Sequence, residues 1–143
     1  MRWENIKDAL GLKRNSIQNQ VKEIDTRPLS KREESWIRDI LQVNPDWAKA
    51  DMTKTRVIAE GPNAEGYSII LKAPTPENPL LDYRREMVGQ LWIQTDDQST
   101  ANVQLSQFQG NLQELYVLFI DNEGRNRTLP ETWNEVSREA VDF

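Results

Sequence analysis

The chain has 143 residues, a net charge of −5, 29% charged and 37% hydrophobic residues, and neither cysteine nor histidine. This length suits one domain, residues 1–143, with a core of its own, and no run approaches the roughly 20 apolar residues of a membrane span. Without Cys or His, the chain excludes disulfides, thiolate nucleophiles, Ser-His-Asp triads and Cys/His zinc sites. A reaction would have to run on carboxylates, Lys, Tyr, Ser or Thr, or on oxygen ligands to Mg²⁺ or Ca²⁺.

Residues 1–28 read as a helical segment. Trp3, Ile6 and Leu10 fall at helical spacing, with Gly11 as a stop. Ile17, Val21 and Ile24 repeat that spacing, with Asn15 or Ser16 as cap, and Pro28 bars continuation. A third helix starts at Ser30, where Glu33 completes a capping box. Trp36, Ile37, Ile40 and Leu41 form its apolar stripe, and Asn44-Pro45 closes it.

Residues 29–143 read as this helix plus an antiparallel sheet. Arg56 to Glu60 and Tyr67 to Ala73 flank the turn-forming Gly61-Pro62-Asn63-Ala64-Glu65-Gly66, which predicts a hairpin. Pro74 to Pro79 is a stiff loop, and Leu80 to Met87 a short helix or an extended lead-in. Three strands follow over Val88 to Ile120, separated by Asp96–Thr100 and Gln109-Gly110-Asn111. Ala101, Val103 and Leu105 share one face, and the slip before Phe108 predicts a bulge. Leu115 to Ile120 is apolar on both faces and should be central. After Leu129-Pro130 comes a polar tail anchored by Trp133 and Val136. The predicted class is α+β: N-terminal helices packed on a roughly five-stranded, mainly antiparallel sheet with a C-terminal meander.

Four constellations could carry function. Ile6 to Leu12 followed by Lys13 to Val21 has the rhythm of a helix-turn-helix with Gln18, Asn19 and Lys22 facing a groove. Any αα-hairpin reads this way too, and Glu4, Asp8, Glu23 and Asp25 offset its basic residues. The loop Asp121-Asn122-Glu123-Gly124 places its glycine fourth, which fails the Ca²⁺-loop spacing and suits a turn. Asp96, Asp97, Glu114, Asp121 and Glu123 could supply a carboxylate pair, yet nothing singles one out among 23 acidic residues. Trp3, Trp36, Trp47, Trp92 and Trp133 are dispersed, as core residues are. Trp92 and Val88 fall opposite Leu91 and Ile93, so Trp92 is an interface anchor if no helix covers that face.

The order Leu29-Ser30, Glu33 to Ile37, Ile40-Leu41, then Val103 to Phe108, Leu112 to Leu118 and Leu129-Pro130 resembles a group of small uncharacterised bacterial α+β proteins, some of the immunity type. The resemblance spans about residues 29–133 and carries no catalytic residue. It transfers no site residue but adds to the reading that the acidic balance, the missing Cys/His chemistry and the compact meander motivate, a protein-binding module for a basic partner. Its contact groups would be Asp96, Asp97, Asp121 and Glu123 at strand ends, with Trp92 as anchor. The reading includes no enzyme activity, no cofactor and no membrane, and leaves homo-oligomerisation open. The start Met1-Arg2-Trp3-Glu4 lacks the apolar stretch of a signal peptide, which points to the cytoplasm. The alternative reading is a DNA-binding regulator acting through residues 6–24.

Overall fold

A computed structural model describes residues 20–47, 50–74, 86–96, 99–120, 126–127 and 134–142. Its elements begin with strand β1 (Lys22–Pro28), helix α1 (Lys31–Gln42), β2 (Arg56–Asn63) and β3 (Gly66–Lys72). They continue with β4 (Met87–Thr95), β5 (Thr100–Phe108), β6 (Asn111–Ile120), β7 (Asn126–Arg127) and β8 (Glu135–Val141). All strands join one antiparallel sheet in the order β1-β2-β3-β6-β5-β4-β8, and β7 pairs with β6 beyond the end of β3.

This corrects the predicted fold class. Among the described residues there is one α-helix, and it lies on a sheet wider than five strands. Two segments account for the difference. The predicted helix over residues 17–24 gives way from Lys22 onward to β1, which pairs with β2 through Lys22↔Glu60 and Arg27↔Val57. Its apolar spacing fits a helix, but hydrogen bonding to β2 overrides so weak a local preference. Pro28, which has no N–H to donate, sits at the strand's end, as an edge strand allows. The predicted polar tail is instead β8, paired along β4 through Leu91↔Ala140 and Ile93↔Arg138. Val136 is 67% exposed on it and anchors nothing. The first predicted helix, the proline-rich loop beyond Pro74 and Trp133 lie outside the described residues.

Helix α1 starts where the sequence says. The Glu33 N–H donates to Ser30 Oγ at 3.1 Å, and the Ser30 N–H donates to Glu33 Oε1 at 2.8 Å. Trp36, Ile37, Ile40 and Leu41 are buried against Leu91, Ile93, Ala101, Val103, Leu105, Leu115 and Val117 of the sheet. The helix approaches β4 closely because Gly89 has no side chain, since a Cβ there would lie 2.8 Å from Ile40 Cγ2. The β2–β3 hairpin is present, as is the β4-β5-β6 meander, with its bulge between Ser106 and Gln107. No helix among the described residues is long and apolar enough to cross a membrane.

Both outer strands are tied to this helix by an arginine. On β1, Arg27 Nη1 donates to Glu33 Oε1 and Nη2 to Glu33 Oε2, each at 2.8 Å, and Nη2 also reaches Glu60 Oε2 at 3.0 Å. On β8, Arg138 Nη1 donates to Ser35 Oγ at 2.8 Å and Asp39 Oδ2 at 2.7 Å, while its Nε and Nη2 hold Glu135 Oε2. The indole Nε1 of Trp36 donates to Glu135 Oε1 at 3.1 Å.

Burial alone would raise the Glu33 pKa, but Arg27 and the Ser30 N–H outweigh it and hold the carboxyl below its ordinary 4.5. A depressed carboxyl stabilises the fold above its unfolded pKa and loses that contribution as pH falls through the folded value. Glu33→Gln is expected to cost about 2 kcal/mol at pH 7, less than a fully buried broken pair because Arg27 keeps Glu60 and is 31% exposed. Urea titrations from pH 7 to pH 3 should show the gap between wild type and variant closing below pH 4.5.

Candidate functional site

Strand alternation sends every second residue of the meander to the face opposite α1. The register then sets those residues in rows across strands. One row runs Ser68, Tyr116, Gln104, Gln90 and Val141, and the next runs Leu118, Asn102, Trp92 and Glu139. A third holds Thr100, Gln94 and Ser137. Polar side chains therefore lie side by side along and across the strands, where they hydrogen-bond to one another. Gln104 Nε2 donates to Asn102 Oδ1 at 2.9 Å, Asn102 Nδ2 to Gln90 Oε1 at 3.1 Å, and Gln94 Nε2 to Thr100 Oγ1 at 3.0 Å.

Trp92 stands among these amides and is 43% exposed, while Trp36 and Trp47 are buried. Among the described residues, helix α1 packs on the other face and leaves Trp92 exposed. Val88 departs from its predicted place beside Trp92. A bulge between Met87 and Gly89 turns it into the main core.

Exposure on this face is graded. Trp92 and Gln94 are open, whereas Ser68 and Ile70 on β3 are fully buried. Glu114 lies at the buried end, paired with Ile70 on one side and Ser106 on the other. Burial pushes its carboxyl above the ordinary 4.5, and a hydrogen bond with Ser68 only partly offsets that. Its Oε2 has no hydrogen-bond partner among the described residues. Ser68 Oγ in turn accepts from Asn63 Nδ2 at 3.1 Å, and the Tyr116 hydroxyl donates to the Asn63 carbonyl at 3.0 Å.

The remaining sequence candidates fare differently. Asp96 is exposed at the end of β4, where its N–H donates to the Asn134 carbonyl at 3.0 Å and its Oδ2 accepts from Asn134 Nδ2 at 2.9 Å. It thus ties β4 to the approach to β8. Asp97, Asp121 and Glu123 lie outside the described residues, as do Gln18 and Asn19. Lys22 is on a strand, so no recognition helix extends through residue 24. Sequence reasoning missed Glu139 and the amide rows. The period-2 pattern of Asn102, Gln104 and Ser106 was visible, but which strand lay beside which was not. Comparisons with family models, curated proteins and solved structures found no match for this chain.

The arrangement is suited to binding: an aromatic surface ringed by oriented amide donors and acceptors, bordered by the carboxylates of Glu139 and Asp96. The buried Glu114 gives it a pH signature. A carboxyl whose folded pKa is raised contributes its stability below the unfolded pKa and loses it as pH rises through the folded value. Glu114→Gln removes that titration. The variant should gain on wild type as pH rises above the ordinary carboxyl value of 4.5, and thermal melts on either side of that value would show the gap growing with pH.

Proposed function

We propose that the protein is a cytoplasmic protein-binding module that docks a basic partner on the sheet face opposite α1, centred on Trp92. The observation that carries this reading is the half-exposed indole in a bed of amides already bonded to one another. Exposed tryptophan is the side chain most often found at the energetic centre of a protein interface. Amides already bonded to one another leave fewer polar groups for a partner to satisfy when the face is covered. Glu139 beside Trp92, Asp96 at the strand end and the net charge of −5 favour a positively charged partner. The resemblance to small bacterial α+β proteins of the immunity type is in keeping with this chemistry and makes a secreted toxin the first partner to try.

Trp92→Ala tests the proposal, because a side chain this exposed contributes little to folding; its stability should change by under about 1 kcal/mol. Wild type, Trp92→Ala and Glu139→Lys serve as immobilised baits against extracts of the source cell and its competitors. A basic protein held by wild type should bind Trp92→Ala at least about tenfold more weakly. Its association with Glu139→Lys should be slower, and that with wild type should slow as salt rises. Baits that retain the same proteins at the same affinity would remove the reading.

A further inference from the structure

Arginine is treated differently at two places in this sheet. Arg27 and Arg138 each take two carboxylates, Glu33 with Glu60 and Asp39 with Glu135. Arg56, Lys54 and Lys72 form no close ion pair among the described residues, although the Asp51 carboxylate attracts Lys54 from the same turn, in a chain that holds 23 acidic residues against 18 basic ones. These three cations line one cavity of about 510 Å³.

Their placement is costly to the fold. Arg56 and Lys72 are direct partners in the β2–β3 ladder. Like charges directly opposite each other across a sheet are destabilising. Val57 and Leu71, the next pair, are both buried in the main core, so alternation turns Arg56 and Lys72 to the same side, away from it.

Arg56 is also held in place rather than left to wave. Its Nη1 donates to the carbonyls of Thr53 at 2.8 Å and Thr55 at 3.0 Å, leaving Nε and Nη2 without a protein partner among the described residues. The turn that supplies those carbonyls is itself fixed. The Asp51 carboxylate accepts from the Thr53 N–H at 2.9 Å and from the Thr53 hydroxyl at 2.5 Å, and Thr55 Oγ1 donates to the Asp51 carbonyl at 2.9 Å. The same turn carries Lys54.

The rest of the lining is mostly apolar, with Ile24 and Ile58 as its largest members. Its one carboxylate, Glu23, stands beside Ala59, three residues along β2 from Arg56. The cavity therefore has a positive end, an apolar body and a negative far wall. Oriented guanidinium and ammonium groups beside an apolar surface match an oxyanion with a hydrocarbon part.

We propose that this cavity binds a small amphiphilic oxyanion, a carboxylate or phosphate head on a short hydrocarbon body, with the head between Arg56 and Lys72 and the body on Ile24 and Ile58. The site is separate from the Trp92 surface. β2 and β4 are four strand spacings apart, about 19 Å.

Isothermal titration of the full chain at fixed ionic strength with octyl phosphate, octanoate and inorganic phosphate tests it. Saturable binding of at least one amphiphile is expected, at least about tenfold tighter than inorganic phosphate, and the tighter of the two names the head group. Lys72→Gln should weaken it about tenfold or more while leaving the melting temperature of the free protein unchanged or raised, since the variant relieves a repulsion. Trp92→Ala should bind as wild type does, which separates this site from the proposed protein interface. Amide shifts at Ile24, Ile58 and Lys72 should follow the same saturation curve. No binding of either amphiphile, equal binding by Lys72→Gln, or equal affinity for inorganic phosphate would overturn the proposal.

Discussion

The two outermost strands of the sheet are held to one helix by two arginines, and the rest of the architecture follows from those ties. A strand at the end of a sheet has hydrogen bonds on one side only. Arg27 joins β1 to the first turn of α1 through Glu33, the residue that also closes the capping box. Arg138 joins β8 to Ser35 and Asp39 on the same helix. The helix start, the edge register and the cover over the core are therefore coupled. Burial opposes the charge on Arg138 most, and on Arg27 less than its bond to Glu33 favours it, yet on both guanidiniums the carboxylates prevail and hold the pKa above the ordinary arginine value.

A helix can cover only one face of a sheet, and this chain answers the problem of the second face with polar side chains. On the α1 side the alternating residues are Leu91, Ile93, Val103, Leu105, Leu115 and Val117. On the other side, the same strands present Gln90, Trp92, Asn102, Gln104, Glu114 and Tyr116. Asn102 donates to Gln90 on the next strand and accepts from Gln104 on its own, which lets it be nearly as inaccessible as a core residue. The face changes from closed at β3 to open at β4, and the proposed protein interface lies where it opens. The third surface, at Arg56 and Lys72, follows the opposite rule. There Arg56 and Lys72 have no ion-pair partner among the described residues, and the hairpin tolerates them because neighbouring carbonyls and burial of Val57 and Leu71 hold the strands together.

Local signals read well where local chemistry decides. Ser30 and Glu33 mark the helix start by themselves, and the alternation of Ala101, Val103 and Leu105 marks a half-buried strand. Gly61 to Gly66 marks a hairpin in the same way, although the observed turn is tighter, at Ala64 and Glu65. Residues 22–28 and 135–141 did not read as strands, because neither holds more than a few apolar residues. Edge strands need little hydrophobicity; their partners β2 and β4 supply the pairing, and no sequence window contains that information. The same limit applied to the candidate sites. Trp92 was legible from alternation within β4 alone. Glu139 beside it, the amide rows, and the Arg56–Lys72 juxtaposition all depend on register between strands.

The position of β8 has a consequence for the order in which the molecule is made. β4, β5 and β6 are neighbours joined by short turns, so they can pair as soon as they leave the ribosome. The outer edge of β4 must wait for Glu135–Val141, since Leu91 pairs with Ala140. Through that interval a nascent chain exposes a long strand edge carrying Leu91 and Ile93, and two such chains on one message could zip together there. Arrival of β8 removes the edge and, through Arg138, locks the helix over it in the same step. Protection from self-association during synthesis thus rests on one of the least apolar strands in the sheet.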